Sequence, residues 1–181
     1  MSAIAVIDET GGALQVAAQA ADEKFEPTVL AFACHWCTYS GADLAGLNRM
    51  NYPANIRVLR VPCSGRVNPQ FVLSALNKGV DGVLVCGCHP GDCHYTSGNF
   101  YAKRRLMVFK RLLEFTGLEP ERFQVRWISG SEAGKFRDTV ISVCEQLRVL
   151  GPYRPQGALL DGVPDGTLDG PLGSLLGGDA S

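Results

Sequence analysis

The sequence reads VLAFAC at residues 29–34, VLRVPC at residues 58–63 and VLVCGC at residues 83–88, three β-rich apolar runs that each end in a cysteine. Helical patterns separate the runs, and this alternation indicates βαβ units whose parallel strands are covered by helices on both faces. We predict strands at residues 28–33, 56–61, 82–86 and 123–128. The expected fold class is therefore α/β: a single domain with a mostly parallel sheet of about four strands and flanking helices, in a Rossmann- or flavodoxin-like layout.

Helix signals follow the second, third and fourth predicted strands. Asn68 is a suitable N-cap for a helix that continues to Lys78. A second helix is expected at about residues 100–115. Ser129 and Glu132 have the spacing of a capping box, which predicts that the last helix begins there.

The two ends of the chain differ in composition from its middle. We divide the sequence into an irregular N-terminal extension at residues 1–26, an α/β domain at residues 27–152 and a Gly/Leu-rich tail at residues 153–181. Beyond Arg154 there is no Lys or Arg, and Asp-Gly recurs at every fourth residue from Asp161 to Asp169. Two interpretations stay open for the tail: a flexible acidic segment, or a partner-binding strap whose leucines need a groove.

Composition excludes several classes of protein. The chain has 181 residues, of which 46% are hydrophobic, so it can bury a core and is not disordered as a whole. Seventeen Lys and Arg balance eighteen Asp and Glu, which speaks against a nucleic-acid binder. No apolar run approaches the roughly 20 residues of a membrane span, and the first ten residues contain acids where a signal peptide has bases. We expect a cytoplasmic protein.

The chain has seven cysteines, an odd number in a protein without a secretory signal, so a disulfide framework is a poor explanation for them. Cys34, Cys63 and Cys88 end three predicted strands, and ligands of open parallel sheets collect at that edge. Cys37 and Cys93 each follow a strand-end cysteine across a short loop. We therefore expect these five thiols to converge on one metal or redox site.

Thiolate clusters select zinc, copper(I) or iron-sulfur centres. Spacing alone does not decide between zinc and iron-sulfur. Each of the three histidines directly follows a cysteine, so we expect them to donate hydrogen bonds or to pack rather than to bind the metal.

Two cysteines and two aromatic residues have structural explanations. Cys86 lies inside the third strand and Cys144 on the apolar stripe of the last helix, so both are expected to pack in the core. Trp36 and Tyr39, within and just after the first cysteine pair, are expected to be buried.

Taken alone, Cys34-His35-Trp36-Cys37 supports a different function. A CxxC motif after a first strand is the thioredoxin arrangement, so a thiol-disulfide oxidoreductase is one alternative, and a structural zinc adaptor is another. Against the first, Cys63, Cys88 and Cys93 would be idle thiols beside a reactive pair.

Four segments of the chain resemble one family. They are CHWCTYSGADLAGLNRMNYP at residues 34–53, RVPCSGRVNPQFVLSAL at 60–76, GVLVCGCHPGDCHYTSGN at 82–99 and WISGSEAGKF at 127–136. Together they are similar to the delta subunit of methyl-viologen-reducing hydrogenase, an iron-sulfur subunit linking hydrogenase to heterodisulfide reductase. The resemblance covers roughly residues 29–151, and its shared cysteines are Cys34, Cys37, Cys63, Cys88 and Cys93.

The resemblance implies a [2Fe-2S] cluster and an electron-transfer subunit of an oxidoreductase complex, without substrate chemistry of its own. The implied partners are a heterodisulfide-reductase-like flavoprotein and an input enzyme such as hydrogenase or formate dehydrogenase, in an electron-bifurcating complex. Of the five cysteines, the two short pairs are the safer ligands, and Cys63 is either the closing ligand or the spare.

Groups around such a cluster can also be named from the sequence. A [2Fe-2S] cluster held by four thiolates is anionic, so cations and backbone N–H groups beside it stabilise the extra electron. Arg66, Gly65, Gly87 and Gly91 are suited to supply them.

Overall fold

The computed structural model describes residues 25–154, which contain one parallel β-sheet and four α-helices. The strands are β1 (Val29–Cys34), β2 (Ile56–Val61), β3 (Gly82–Gly87) and β4 (Phe123–Trp127). The helices are α1 (Ser40–Leu47), α2 (Pro69–Asn77), α3 (Gly98–Phe115) and α4 (Ala133–Leu150). The predicted fold class is confirmed. Most of the predicted extension and tail lies outside the described residues.

The strand order is β2-β1-β3-β4, and all neighbouring strands are parallel. Val29 at the start of β1 pairs with Ile56 of β2 on one side and with Gly82 of β3 on the other. The chain therefore reverses its direction across the sheet between β1 and β3. In open α/β sheets, this switch point creates a crevice beyond the carboxyl ends of the two strands.

Each face of the sheet is covered by two helices. Alternate residues of β3 serve the two faces: Leu84 and Cys86 pack with α1 and α4, whereas Val83 and Val85 pack with α2 and α3. Because β3 is buried along its whole length, its sequence is a continuous apolar run rather than an alternating one. The core thus rigidly positions the strand ends.

The start of the last helix differs from its prediction. α4 begins at Ala133, whereas the capping-box spacing predicted a start at Ser129. Only half of the capping box forms: the Glu132 carboxylate accepts the Ser129 N–H at 2.7 Å, but the Ser129 hydroxyl lies 3.0 Å from that of Ser131. The motif therefore closes a turn before the helix instead of capping its first residues.

Asp81 ties the two ends of the described chain together. Its carboxylate is buried and accepts the N–H of Thr28 at 2.7 Å and the N–H of Tyr153 at 2.8 Å. The neighbouring Arg122 guanidinium lies over the Tyr153 ring.

Within residues 25–154, no helix is both long enough and apolar enough to cross a bilayer.

Candidate metal centre

The carboxyl edge of the sheet carries five cysteines. Cys34 ends β1, Cys63 follows β2, and Cys88 follows β3; Cys37 lies in a π-helical turn after β1, and Cys93 in the loop before α3. All five are unpaired thiols and at most 8% exposed. The structure thus brings all five predicted metal-binding residues to one edge, at the switch point and beside it.

Two sulfur pairs at this edge have the same separation. The Sγ atoms of Cys34 and Cys88 are 3.8 Å apart, and so are those of Cys63 and Cys93. The sulfur of Cys37 joins the first pair, since the three sulfurs lie within 4.8 Å of one another. The close pairs therefore link different strand ends, and Cys63 has a sulfur partner that its isolated place in the sequence does not reveal.

Glycine makes the approach of Cys63 and Cys93 possible. A Cβ atom at Gly98, the first residue of α3, would lie 2.5 Å from the Cys63 sulfur and 3.2 Å from the Cys93 sulfur. Similarly, a Cβ at Gly65 would lie 2.7 Å from the Gly98 carbonyl oxygen. Any side chain at either position would push the start of α3 away from the thiols.

Hydrogen bonds lower the pKa of Cys34. The thiol of Cys37 lowers the pKa of Cys34 to about 5 by hydrogen bonding to its sulfur, and the backbone N–H groups of Trp36 and Ser64 act in the same direction. The same contact, together with burial, raises the pKa of Cys37. The pKa values of the two neighbouring thiols are therefore shifted in opposite directions, down for Cys34 and up for Cys37.

Burial acts in the opposite direction on the remaining strand-end thiols. It raises the pKa of Cys63 to about 11, although the Gly65 N–H points at the Cys63 sulfur from 3.4 Å. It also raises the pKa of Cys88. Several buried thiols that resist ionisation singly are suited to a cation that neutralises their charge.

The four residues predicted to surround a cofactor have different positions. Gly65 donates to the Cys63 sulfur, while the Arg66 side chain is exposed and its backbone N–H bonds to the Cys63 carbonyl. Gly87 packs against the side chains of Ser64 and Trp127, and Gly91 adopts a positive φ of 104° in an exposed turn. A role of Arg66, Gly87 and Gly91 beside a cofactor stays a prediction.

Sequence reasoning missed the N–H groups of Trp36 and Ser64. Both residues belong to short helical turns that start directly after a cysteine, His35–Tyr39 after Cys34 and Ser64–Arg66 after Cys63. The first N–H groups of a helical turn have no partner within the turn. A helix-start signal next to a cysteine is the feature that identifies such donors.

The histidines link the cysteine loops to their surroundings. His89 Nε2 lies 2.7 Å from the Glu132 carboxylate, whose pKa is lowered to about 2, first by the Ser129 N–H and then by His89. The His94 ring stacks on Trp36, with centroids 3.7 Å apart. For His89 and His94, these contacts agree with the prediction that the histidines pack or form hydrogen bonds. His35 packs edge-on against Trp36, and within residues 25–154 its buried Nδ1 has no hydrogen-bond partner.

Trp36 is not buried, contrary to its prediction. Its side chain is 48% exposed, and its Nε1 donates to the Tyr95 hydroxyl at 3.3 Å. Tyr39 is half-buried beneath the Arg60 guanidinium. The prediction failed because the π-helical turn buries Cys37 and Thr38 and leaves the Trp36 ring at the surface.

The donor atoms at this edge fit a thiolate-bound metal centre. Two metal–sulfur bonds of about 2.3 Å at a tetrahedral angle span about 3.8 Å, which is the separation of both close pairs. Sulfur donors exclude the oxygen-preferring ions calcium and magnesium. The fold and this edge together define an α/β domain with a buried cluster of cysteines, suited to hold a metal, at its switch point.

The chain belongs to the family described as methyl-viologen-reducing hydrogenase, delta subunit, whose sequence profile matches residues 29–151. The family resemblance noted from the sequence is thereby confirmed.

The chain is similar both to iron-sulfur subunits of hydrogenases and to subunits of heterodisulfide reductases. The chain is 50% identical over 132 residues to the iron-sulfur subunit of the F420-non-reducing hydrogenase of Archaeoglobus profundus, covering 73% of this chain and 96% of that protein. It is 48% identical over 130 residues to the vhc iron-sulfur subunit of the F420-non-reducing hydrogenase of Methanococcus voltae, covering 72% and 90%. It is also 48% identical over 138 residues to a subunit of the ferredoxin:CoB-CoM heterodisulfide reductase of Methanosarcina mazei, covering 76% of this chain but 17% of that protein.

Proposed function

We propose that this protein is an electron-transfer subunit that carries a [2Fe-2S] cluster at the carboxyl edge of its sheet. The observation that supports this most directly is the two sulfur pairs, each 3.8 Å apart, at neighbouring places on one edge. A cluster of this type has two iron atoms, each bound by two thiolates. Two separate pairs match that requirement better than they match a single zinc ion.

The pairs also suggest which four cysteines bind the iron atoms. We assign Cys34 and Cys88 to one iron, and Cys63 and Cys93 to the other. Cys37 is then the spare, and its thiol, which lies within 4.8 Å of the Cys34 sulfur and lowers the pKa of Cys34, becomes a hydrogen-bond donor to a ligand sulfur. This assignment replaces the expectation from the sequence that Cys37 is a ligand and Cys63 the doubtful one.

The residues of the edge have three tasks in this proposal. The buried cysteines hold the group away from water, and the N–H groups of Trp36, Ser64 and Gly65 offset the negative charge of the thiolates. His89 and Glu132 attach the Cys88–Cys93 loop to the turn before α4. When bound, the cluster supplies reversible one-electron transfer.

Relatives suggest the partners. In the Methanosarcina mazei protein, the stretch similar to this chain is part of a longer heterodisulfide reductase polypeptide. Fusion in one protein is a reason to expect association of separate chains in another. We propose a heterodisulfide-reductase-like flavoprotein as one partner and a hydrogenase or formate dehydrogenase as the electron input, within an electron-bifurcating complex.

A thiol-disulfide oxidoreductase is favoured by one observation, the pKa of about 5 at Cys34 beside Cys37. However, Cys34 is 1% exposed and Cys37 is 5% exposed. A disulfide substrate has no access to the Cys34 sulfur in this arrangement, so electron transfer is the better proposal.

Anaerobic purification of the full chain tests the proposal. We expect two irons and two acid-labile sulfides per chain, and an EPR signal that appears on reduction. One zinc ion per chain and no sulfide would establish the structural adaptor instead. Catalytic disulfide reduction by metal-free protein would establish the oxidoreductase.

The partner proposal needs a separate measurement. A purified heterodisulfide-reductase flavoprotein should bind the loaded chain and exchange electrons with its cluster in stopped-flow experiments. A loaded protein that transfers no electrons to or from such a flavoprotein would contradict the relay role while leaving the cluster proposal intact.

A further inference from the structure

Ser64 has a buried hydroxyl whose hydrogen-bonding capacity is unused. The residue follows Cys63 in the short helical turn after β2, and it is 1% exposed. Within residues 25–154, its Oγ atom has no hydrogen-bond partner. Burying a hydroxyl without a partner is costly, so such a group requires an explanation.

The surroundings of Ser64 are the proposed iron ligands. Cys63 precedes it in the chain, and the backbone N–H of Ser64 is one of the groups that lower the pKa of Cys34. Its hydroxyl packs against Gly87, the residue before Cys88: a Cβ atom at Gly87 would lie 2.6 Å from the Ser64 oxygen. Ser64 therefore lies among three cysteines that end three different strands.

The other buried hydroxyl near this edge behaves differently. Thr38 is 0% exposed, and its hydroxyl donates to the Ile128 carbonyl at 3.1 Å and lies 3.8 Å from the Cys37 sulfur. Thr38 thus satisfies its hydroxyl within the protein, whereas Ser64 does not. Of these two hydroxyls, the one without a partner belongs to Ser64, which follows Cys63 in the chain and packs against Gly87, the residue before Cys88.

We propose that the Ser64 hydroxyl donates a hydrogen bond to a sulfur of the cluster and thereby raises its reduction potential. The inference rests on the proposed [2Fe-2S] site. Reduction adds one negative charge to the cluster, so a donor to its sulfurs stabilises the reduced form more than the oxidised form. Ser64 would act through this hydrogen bond and would not itself bind an iron atom.

The proposal also gives Gly87 a role different from the one predicted from the sequence. A Cβ at Gly87 would lie 2.6 Å from the Ser64 oxygen and 2.9 Å from its Cβ, so any larger residue would displace the hydroxyl. Glycine at the end of β3 keeps Ser64 in place. Gly87 then contributes by leaving room for the Ser64 side chain and not by donating its own N–H group.

The test is Ser64→Ala in the full chain, purified without oxygen. Iron and sulfide contents should equal those of the wild type, and an EPR-monitored redox titration should give a lower midpoint potential. In resonance Raman spectra, transfer from H2O to D2O should shift the iron–sulfur stretching bands less than in the wild type. Ser64→Gly removes the hydroxyl together with the Cβ atom and should lower the potential as well.

Two variants serve as controls. Ser64→Thr retains a hydroxyl and should keep a potential near that of the wild type. Thr116→Val removes a hydroxyl that donates to the Leu113 carbonyl at 2.7 Å, at the end of α3 far from the thiols, and should leave the potential and the deuterium shift unchanged. A wild-type potential in loaded Ser64→Ala and Ser64→Gly, or an equal fall in Thr116→Val, would overturn the inference.

The failure of this inference is distinguishable from failure of the proposed function. If the wild-type chain contains no iron and sulfide, both fall together. If the cluster is present and the Ser64 variants titrate as the wild type does, only the role of Ser64 is wrong.

Discussion

Cys86 and Cys88 lie two residues apart in the run VLVCGC, but they belong to different regions of the molecule. Cys86 is inside β3, is 0% exposed and packs in the core beneath α4, where burial raises its pKa to about 12. Cys88 lies just beyond the strand, with its sulfur 3.8 Å from that of Cys34. Cysteines only two residues apart thus have different environments: Cys86 packs in the core, and Cys88 is a proposed iron ligand.

Cys144 repeats the core behaviour on α4. It is 0% exposed, and burial raises its pKa. Its thiol donates to Asn55 Oδ1 at 3.7 Å. A single thiol in apolar surroundings stays protonated and unreactive. A cysteine of this protein therefore becomes a candidate metal ligand only where its sulfur lies close to other sulfurs. Within residues 25–154, that happens at the ends of the strands.

The largest expected effect distinguishes the proposed ligands from the spare thiol. Serine in place of Cys34, Cys63, Cys88 or Cys93 should abolish the visible and EPR spectra of the cluster, because each iron loses one of its two thiolates. Cys37→Ser should retain the cluster with an altered potential. Cluster retention in Cys63→Ser, together with loss in Cys37→Ser, would refute the assignment.

A matched pair of glycines tests the close approach of α3 to the thiols. Gly98→Ala places a Cβ atom 2.5 Å from the Cys63 sulfur, so iron content should fall strongly. At Gly134, in α4, a Cβ meets nothing within 4 Å, and alanine there should raise the free energy of unfolding by about 0.5–1 kcal/mol. Equal iron contents in the two variants would contradict the geometry at Cys63.

Trp36 tests whether the partner covers the edge that carries the thiols. Exposed aromatic rings are frequent anchors of protein interfaces, and loss of one costs about 2 kcal/mol, or roughly 30-fold in affinity. We expect this loss for Trp36→Ala, measured by calorimetry with a heterodisulfide-reductase flavoprotein. Phe115, 91% exposed at the far end of α3, is the matched control, and Phe115→Ala should bind normally.

The smallest expected effects belong to the core cysteines. Cys86→Ala and Cys144→Ala remove one buried sulfur each, which should lower the free energy of unfolding by about 1–2 kcal/mol in urea titrations. Iron content and the EPR spectrum should equal those of the wild type. Loss of the cluster from folded Cys144→Ala would show that α4 contributes to the metal site.

Much of this architecture was predictable because it depends on local patterns. The runs ending at Cys34, Cys63 and Cys88 have β-rich apolar composition, and helix signals such as Asn68 separate them. Asn68 does accept the Gln70 N–H as an N-cap. Trp36 was predicted incorrectly because its exposure depends on a π-helical turn, and that turn has no reliable signal in a single sequence.

By itself, the sequence determined that five cysteines reach one edge of the molecule, because all strands of a parallel sheet end on the same side. Which sulfurs meet was decided only by the tertiary structure. Cys63 follows β2 and Cys93 follows β3, two strands that are separated by β1, so their approach depends on the order β2-β1-β3 and on the paths of two loops. The unpaired hydroxyl of Ser64 has the same origin, since hydrogen-bond partners at a crowded edge are set by packing between elements distant in sequence.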